Sequence, residues 1–204
     1  MINSLCSEWL ELFDNCAAAA PIDPAEILPM GTLAILNPPF GKGTLWPEVG
    51  EKFYLAHRWR SEGKDSTQWS RTNRVKQSAA LEALFLELCV RSLAPGEVVV
   101  MLTPNGLLSD QKSGADRCWL LEQARLWASI QLPPEVWQAE CKVGIVTSIV
   151  VLERLVPQEL VAQGDYDIFM AMVKGCGFDS RGRRAGVDEL PQVVDKFMAL
   201  GWEG

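Results

Sequence analysis

Histidine is nearly missing from this chain, which has His57 alone among 204 residues, and none of its six cysteines forms a Cys-x-x-Cys pair. Structural zinc sites draw on such pairs, so no metal site is expected. Cys6, Cys16, Cys89, Cys118, Cys141 and Cys176 are read instead as reduced thiols of a cytoplasmic protein. No apolar run reaches membrane-spanning length, so no membrane association is expected. The opening Met1-Ile2-Asn3-Ser4 has no basic region leading into an apolar stretch, so no secretory signal is expected. Positive charge is also short: 19 Lys and Arg face 26 Asp and Glu, a net charge of -7. That balance argues against a free-standing nucleic-acid binder, because phosphate contacts by basic residues supply most non-specific affinity. Glycine is scarce at the start, where Gly31 is the one glycine ahead of Asn37.

What is present is an apolar content of 48%, enough for one sizeable core in one domain or a little more. Leu5, Trp9, Leu12 and Phe13 stand at helical spacing, and Pro21, Pro24 and Pro29 break the connector that follows. Residues 1–32 therefore read as an N-terminal helix and connector, 33–155 as the core, and 156–204 as a C-terminal extension with a strand and a basic turn. Leu33-Ala34-Ile35-Leu36 reads as a short buried strand. From Gly41 to about Arg74 the pattern is irregular and rich in aromatics and charge, a long loop or a partial helix around Lys52 to Arg60. Seven basic residues between Glu51 and Lys76, among them Arg58, Arg60 and Arg74, face three acidic ones, so this is either a phosphate-facing surface or a solvated loop. A helix is expected from Ser78 to the Pro95-Gly96 stop, a strand over Val98 to Leu102, and a helix over Asp116 to Trp127. Strands are expected over Ser129 to Leu132 and Gly144 to Leu152. The alternation predicts an α/β fold, a parallel sheet with helices on both faces that ends in a hairpin-like edge pair. Trp119, Trp127 and Trp137 read as packing residues.

Asn37-Pro38-Pro39-Phe40 closes the first strand, since two prolines in a row must end it. Asn37 then stands at the carboxyl tip of a strand, where open α/β sheets hold their ligands, and Pro39 keeps Pro38 extended. One carboxamide, one carbonyl and one aromatic ring in a stiff corner suit a flat, amino-bearing ring. The Asn37 oxygen and the Pro38 carbonyl can accept hydrogens from the exocyclic amine while Phe40 stacks on the ring face. A plain proline turn with a capping asparagine is the alternative.

The tetrapeptide resembles motif IV of amino-methyltransferases that modify adenine N6 in DNA, and later blocks extend the likeness to modification subunits of type I restriction systems. Those blocks are Glu82 and Phe85, Pro104-Asn105-Gly106, Arg117, Ile130-Gln131-Leu132-Pro133, Thr147-Ser148-Ile149, and Gly177 through Pro191, so the likeness covers roughly residues 33–195. The resemblance implies a Rossmann-like sheet that uses S-adenosyl-L-methionine to methylate a flipped adenine, as part of a restriction-modification system. It implies catalytic roles for Asn37, Pro38, Pro39 and Phe40; substrate contacts are expected from Phe40 and from the basic residues Lys42, Arg58, Arg60 and Arg74, and a cofactor or loop-ordering role from Glu82. Acidic residues also favour a first helical turn by themselves.

Double-stranded DNA, a specificity subunit and a restriction subunit are the implied partners. The chain departs from the family where its cofactor strands and glycine-rich turn are expected. It therefore resembles the second half of the catalytic domain, a fragment or split subunit completed by a missing N-terminal half or a second copy. Asp14, Asp23 and Glu26 read as helix-end or connector charge rather than ribose ligands. A non-catalytic remnant or binding module is the competing reading, and a methyltransferase of ribosomal RNA or of a protein glutamine is a third. Arg181, Arg183 and Arg184 suit either a phosphate contact or an exposed turn.

Overall fold

A computed structural model describes residues 33–63 and 68–201. The expected N-terminal helix and connector, with Cys6, Cys16 and the early acidic residues, lie outside the described residues.

The elements run β1 (Leu33–Leu36), β2 (Lys42–Thr44), α1 (Pro47–Gly50), β3 (His57–Ser61), β4 (Trp69–Val75), β5 (Ser78–Ala80), α2 (Leu81–Ser92) and β6 (Val98–Pro104). There follow α3 (Asn105–Ser109), a 3-10 turn (Gln111–Ser113), α4 (Gly114–Leu121), β7 (Ala124–Leu132), α5 (Glu135–Cys141) and β8 (Thr147–Arg154). The described chain closes with α6 (Pro157–Ala162), β9 (Phe169–Met172), β10 (Cys176–Phe178), β11 (Arg184–Asp188) and α7 (Leu190–Met198).

The main sheet has the order β1-β6-β8-β7-β9. β1 runs parallel to β6, and β7 parallel to β9, while β8 is antiparallel to both of its neighbours. The sheet is therefore mixed rather than parallel, and β7 with β8 does not form an edge pair. β8 enters the middle of the sheet and β9 takes the edge. The burial of β8 explains this, because Thr147, Ser148, Val150, Val151 and Leu152 are all buried and a strand apolar on both faces is stable only when flanked and covered.

Val99 and Met101 of β6 and Val150 and Leu152 of β8 share one face, covered by Leu84, Leu86 and Val90 of α2 and by Trp119 and Leu120 of α4. The opposite face carries Val98, Ala128 and Val151, and Phe197 of α7 packs there. A register shift between Leu126 and Ala128 re-aims β7 halfway along its length. β1 is only half-buried, contrary to expectation. Ala34 and Leu36 align with Val99 and Met101 and pack inward, while Leu33 and Ile35 are 54% and 74% exposed.

Three further expectations change. The Gly41 to Arg74 stretch is neither an irregular loop nor a helix over Lys52 to Arg60. β2 pairs with β5 and β3 pairs with β4, forming two antiparallel ribbons. The alternation that makes β3 is real, with His57, Trp59 and Ser61 less exposed than Arg58 and Arg60, but the density of charge hides it in the sequence. α2 begins at Leu81 rather than Ser78, because Ser78 to Ala80 are taken into β5. α4 ends at Leu121, and Trp127 lies in β7, where its indole donates to Glu153 Oε2 at 2.8 Å. No glycine or proline marks that boundary, so helical spacing alone carries the reading too far.

Candidate active site at the tip of β1

The corner begins where β1 ends. Asn37 and Pro39 are exposed, Pro38 is buried and Phe40 is half-buried. Two hydrogen bonds hold the backbone just past the ring: Leu81 N donates to Gly41 O at 2.8 Å, and Gly41 N donates to Glu82 Oε2 at 2.9 Å. Gly41 has φ +110, which a side chain would strain, so glycine is what lets the chain turn from the prolines into β2. Of the roles open to Glu82, the described contact is the ordering of this loop.

Phe40 meets Trp137 of α5 edge to face, with ring centroids 5.7 Å apart and planes at 78°. The Trp137 indole donates to Thr147 Oγ1 at 2.9 Å, which ties the aromatic pair to the start of β8. Thr147 and Ser148 are both buried at that end of the strand. Ser148 Oγ donates to Asn105 Oδ1 at 2.6 Å, and Asn105 Nδ2 donates to Gln131 Oε1 at 2.9 Å. The side chain that follows β6 therefore pins β7 and β8 beside the corner. Arg117 donates through Nη1 to Leu107 O and Asp110 O, both at 2.9 Å, and fixes α3 and the 3-10 turn against α4. These sequence blocks have local structural work to do, whatever ligand the corner takes.

Lys42 is exposed on β2, and Arg58, Arg60 and Arg74 are exposed on the β3–β4 ribbon, away from the proline corner in sequence and on separate elements. Arg58 opens onto a cavity of about 450 Å³ shared with Trp69, Lys76, Lys112 and Asp116. Burial pushes the Asp116 carboxyl up to about 6; Lys76 and Arg117 oppose the shift and Glu82 adds to it. Neither Asp116 nor Lys112 stands out in the sequence. Trp137 does, three residues after Pro134 and next to an apolar position, but its spacing equally fits a packing residue.

The raised Asp116 value has a testable sign. A carboxyl that is harder to ionise when folded favours the folded state while protonated. That contribution is lost as pH rises from the ordinary value of 3.8 through about 6. Asp116→Asn, which stays neutral, should therefore gain on the native protein over that window and hold a constant advantage above it, up to about 3 kcal/mol for a shift of roughly two units. Denaturant unfolding of both proteins at pH 4, 5, 6 and 7.5 measures it. A difference that does not change with pH would remove Asp116 from the account.

The family model described as N-6 DNA Methylase matches residues 26–174. No curated protein matches the chain in sequence. A protein from Listeria monocytogenes described as a class I S-adenosylmethionine-dependent methyltransferase is similar in structure, with a TM-score of 0.52 and 17% identity over 82% of this chain and 40% of that one. A chain from a structure of complex assembly in the type I R-M system gives 0.55 and 24%, covering 84% of this chain and 30% of that one. A modification subunit of a type I restriction enzyme from Vibrio vulnificus YJ016 gives 0.50 and 20%, covering 83% and 30%. The chain thus spans two fifths or less of the length of each, and at these identities the likeness establishes the α/β methyltransferase fold.

Proposed function

From the premise that the chain belongs to the N-6 DNA methylase family, we propose that the β1 corner receives a flipped adenine of double-stranded DNA for methylation at N6. The observation that carries this is the exposed Asn37 carboxamide at a strand tip, beside an aromatic pair anchored by Thr147. The N6 lone pair is delocalised into the ring, so the amine is a poor nucleophile. Asn37 Oδ1 and the Pro38 carbonyl accept its two hydrogens, favour a pyramidal nitrogen and stabilise the positive charge that develops on it. Asn37 is no base, and the proton leaves to solvent. Pro39 keeps the acceptors stiff, Phe40 covers the ring face, and Trp137 limits how far Phe40 can swing. Glu82 acts here as a positioning residue, through the Gly41 amide.

S-adenosyl-L-methionine is the methyl donor that the family implies, supplying a methyl group activated by a sulfonium. The described residues do not by themselves form its pocket. The Glu82 oxygen nearest the corner is engaged by Gly41, and no described element covers the outer edge of β1 or the side bearing Leu33 and Ile35. The chain is accordingly read as the base-binding half of a type I modification enzyme in the cytoplasm, completed by an N-terminal half or a second copy. It works with a specificity subunit and a restriction subunit. With a net charge of -7, it leaves much of the grip on DNA to those partners, while Lys42, Arg58, Arg60 and Arg74 contribute phosphate contacts. Among the described residues no helix is long and apolar enough to cross a membrane.

That the described residues alone form no cofactor pocket leaves room for a second reading, a module that recognises the base and transfers nothing. Incubating the completed assembly with duplex DNA and tritiated S-adenosylmethionine, then identifying the labelled nucleoside, separates the two. Labelled N6-methyladenine supports the enzyme, and DNA binding with no label supports the module.

A further inference from the structure

Away from the proline corner, a second cavity of about 550 Å³ opens at the other end of the sheet, lined by Tyr54, Trp59, Arg71, Arg91, Trp119 and Arg154 among others. Its place follows from the register. Arg154 N donates to Glu97 O just ahead of β6, whereas the end of β1 is level with Met101. Met101 lies four residues beyond Glu97, roughly 13 Å along the strand, and the corner lies beyond that. The β3–β4 ribbon forms one wall, and the ends of α2, α4 and β8 form the rest.

The chemistry of the lining is lopsided. Three guanidinium groups face the cavity and Glu122 is its one acidic lining residue. Arg91 is paired with Glu87 at 3.0 Å, but Arg71 and Arg154 have no carboxylate within ion-pair distance among the described residues. Arg71 lies over the Tyr54 ring, 4.4 Å from its centroid. Arg154 donates through Nη1 to Gln123 O and Gln123 Oε1, at 2.7 and 3.0 Å, both neutral acceptors that aim the group without neutralising it. Burial also lowers the pKa of Arg154, the sign of a cation taken partly out of water without a counter-ion. The walls are aromatic. Tyr54 and Trp119 stack at 6.2 Å, and the Trp59 indole donates to Tyr54 O at 3.1 Å. A bare phosphate would fill a small part of this volume, which falls in the range of pockets for small organic ligands.

We propose that this cavity binds a nucleotide, with the phosphate between Arg71 and Arg154 and the base against Trp59. The ligand is either a free nucleoside phosphate or one unit of a nucleic-acid strand, since both present a phosphoryl group beside a flat ring. The proposal does not rest on methyl transfer at the β1 corner, and its test needs no transfer.

Calorimetric titration of adenosine monophosphate, inorganic phosphate and a ten-nucleotide single strand into the full chain decides it, alongside Arg71→Gln, Arg154→Gln and Lys196→Gln. Arg71 is exposed and its side chain makes only a cation–π contact, so its variant should fold even if Arg154→Gln does not. The expected result is a tenfold or greater loss of adenosine monophosphate affinity in Arg71→Gln, with Lys196→Gln, an equal loss of charge on α7 across the sheet from Trp119, unchanged. Binding of the strand with the same dependence on Arg71, not displaced by the mononucleotide, also supports the site and identifies the strand as its source. No binding of either ligand overturns the proposal. So does equal weakening by Lys196→Gln, or phosphate binding as tightly as the nucleotide.

Discussion

Asn37→Ala, introduced into the completed assembly, is expected to lower the single-turnover rate of methyl transfer by roughly 100- to 1,000-fold, the scale of losing one preorganised partner of a developing charge. Binding of S-adenosylmethionine and of duplex DNA should stay within about twofold, because the carboxamide acts on a charge that exists only as the methyl group moves. The fold should be untouched. Asn37 is exposed, and the bonds that shape the corner run through the Gly41 backbone to Leu81 and Glu82 rather than through the Asn37 side chain. Transition-state stabilisation and structural support can therefore be told apart here, since thermal unfolding should be superimposable on that of the native protein. A variant that keeps its full rate would leave the strand tip without a chemical role.

Glu87→Ala should have the largest effect on stability, about 3 to 5 kcal/mol, the range for breaking a buried charged network. Glu87 is 0% exposed in the middle of α2. Its Oε1 accepts from Tyr54 N at 2.8 Å and from Arg91 Nη1 at 3.0 Å, and its Oε2 accepts from Leu55 N at 2.8 Å. Burial raises its pKa while these same donors pull it down. Truncation would leave two backbone N–H groups and a guanidinium facing an apolar gap. Glu87→Gln should fall between, because a carboxamide offers one oxygen where two amide donors need two. Denaturant midpoints of the three proteins at one pH measure this, and a loss under about 1 kcal/mol for Glu87→Ala would show that water or rearrangement replaces the network. The damage should be uneven: Tyr54 and Leu55 lead directly into β3, so the ribbon bearing Arg58, Arg60 and Arg71 should loosen from α2 before the sheet opens.

The sequence shows most where a feature is local. Two prolines after four apolar residues place the corner at a strand tip, and the β-branched run in β8 and the apolar face of α2 are visible from spacing alone. What it hides depends on partners distant in the chain. Nothing in Thr147 to Arg154 says that the strand will slip between β6 and β7, since a strand apolar on both faces fits any interior place. β3 alternates and β4 does so in part, but with arginine and asparagine as the outward residues, and serine and threonine among the inward ones, they look like loop. Glu87 reads as a helix surface residue until 54 and 55 are known to pass over it. Trp137 reads as packing until its ring is found at the edge of Phe40, 97 positions earlier in the sequence. Asp116 carries no mark of its raised value, because that comes from burial and then from Glu82, against the pull of Lys76 and the adjacent Arg117, and only the fold supplies the burial, Glu82 and Lys76.

The knot of Asn105, Gln131 and Ser148 bears on how such a chain can change over time. One carboxamide serves both other partners, donating to Gln131 and accepting from Ser148. A change at any one of the three positions strands polar atoms on the remaining two where β6, β7 and β8 converge. The three sites, scattered along the chain, should therefore be inherited as a set, with tolerated substitutions arriving in compensating pairs.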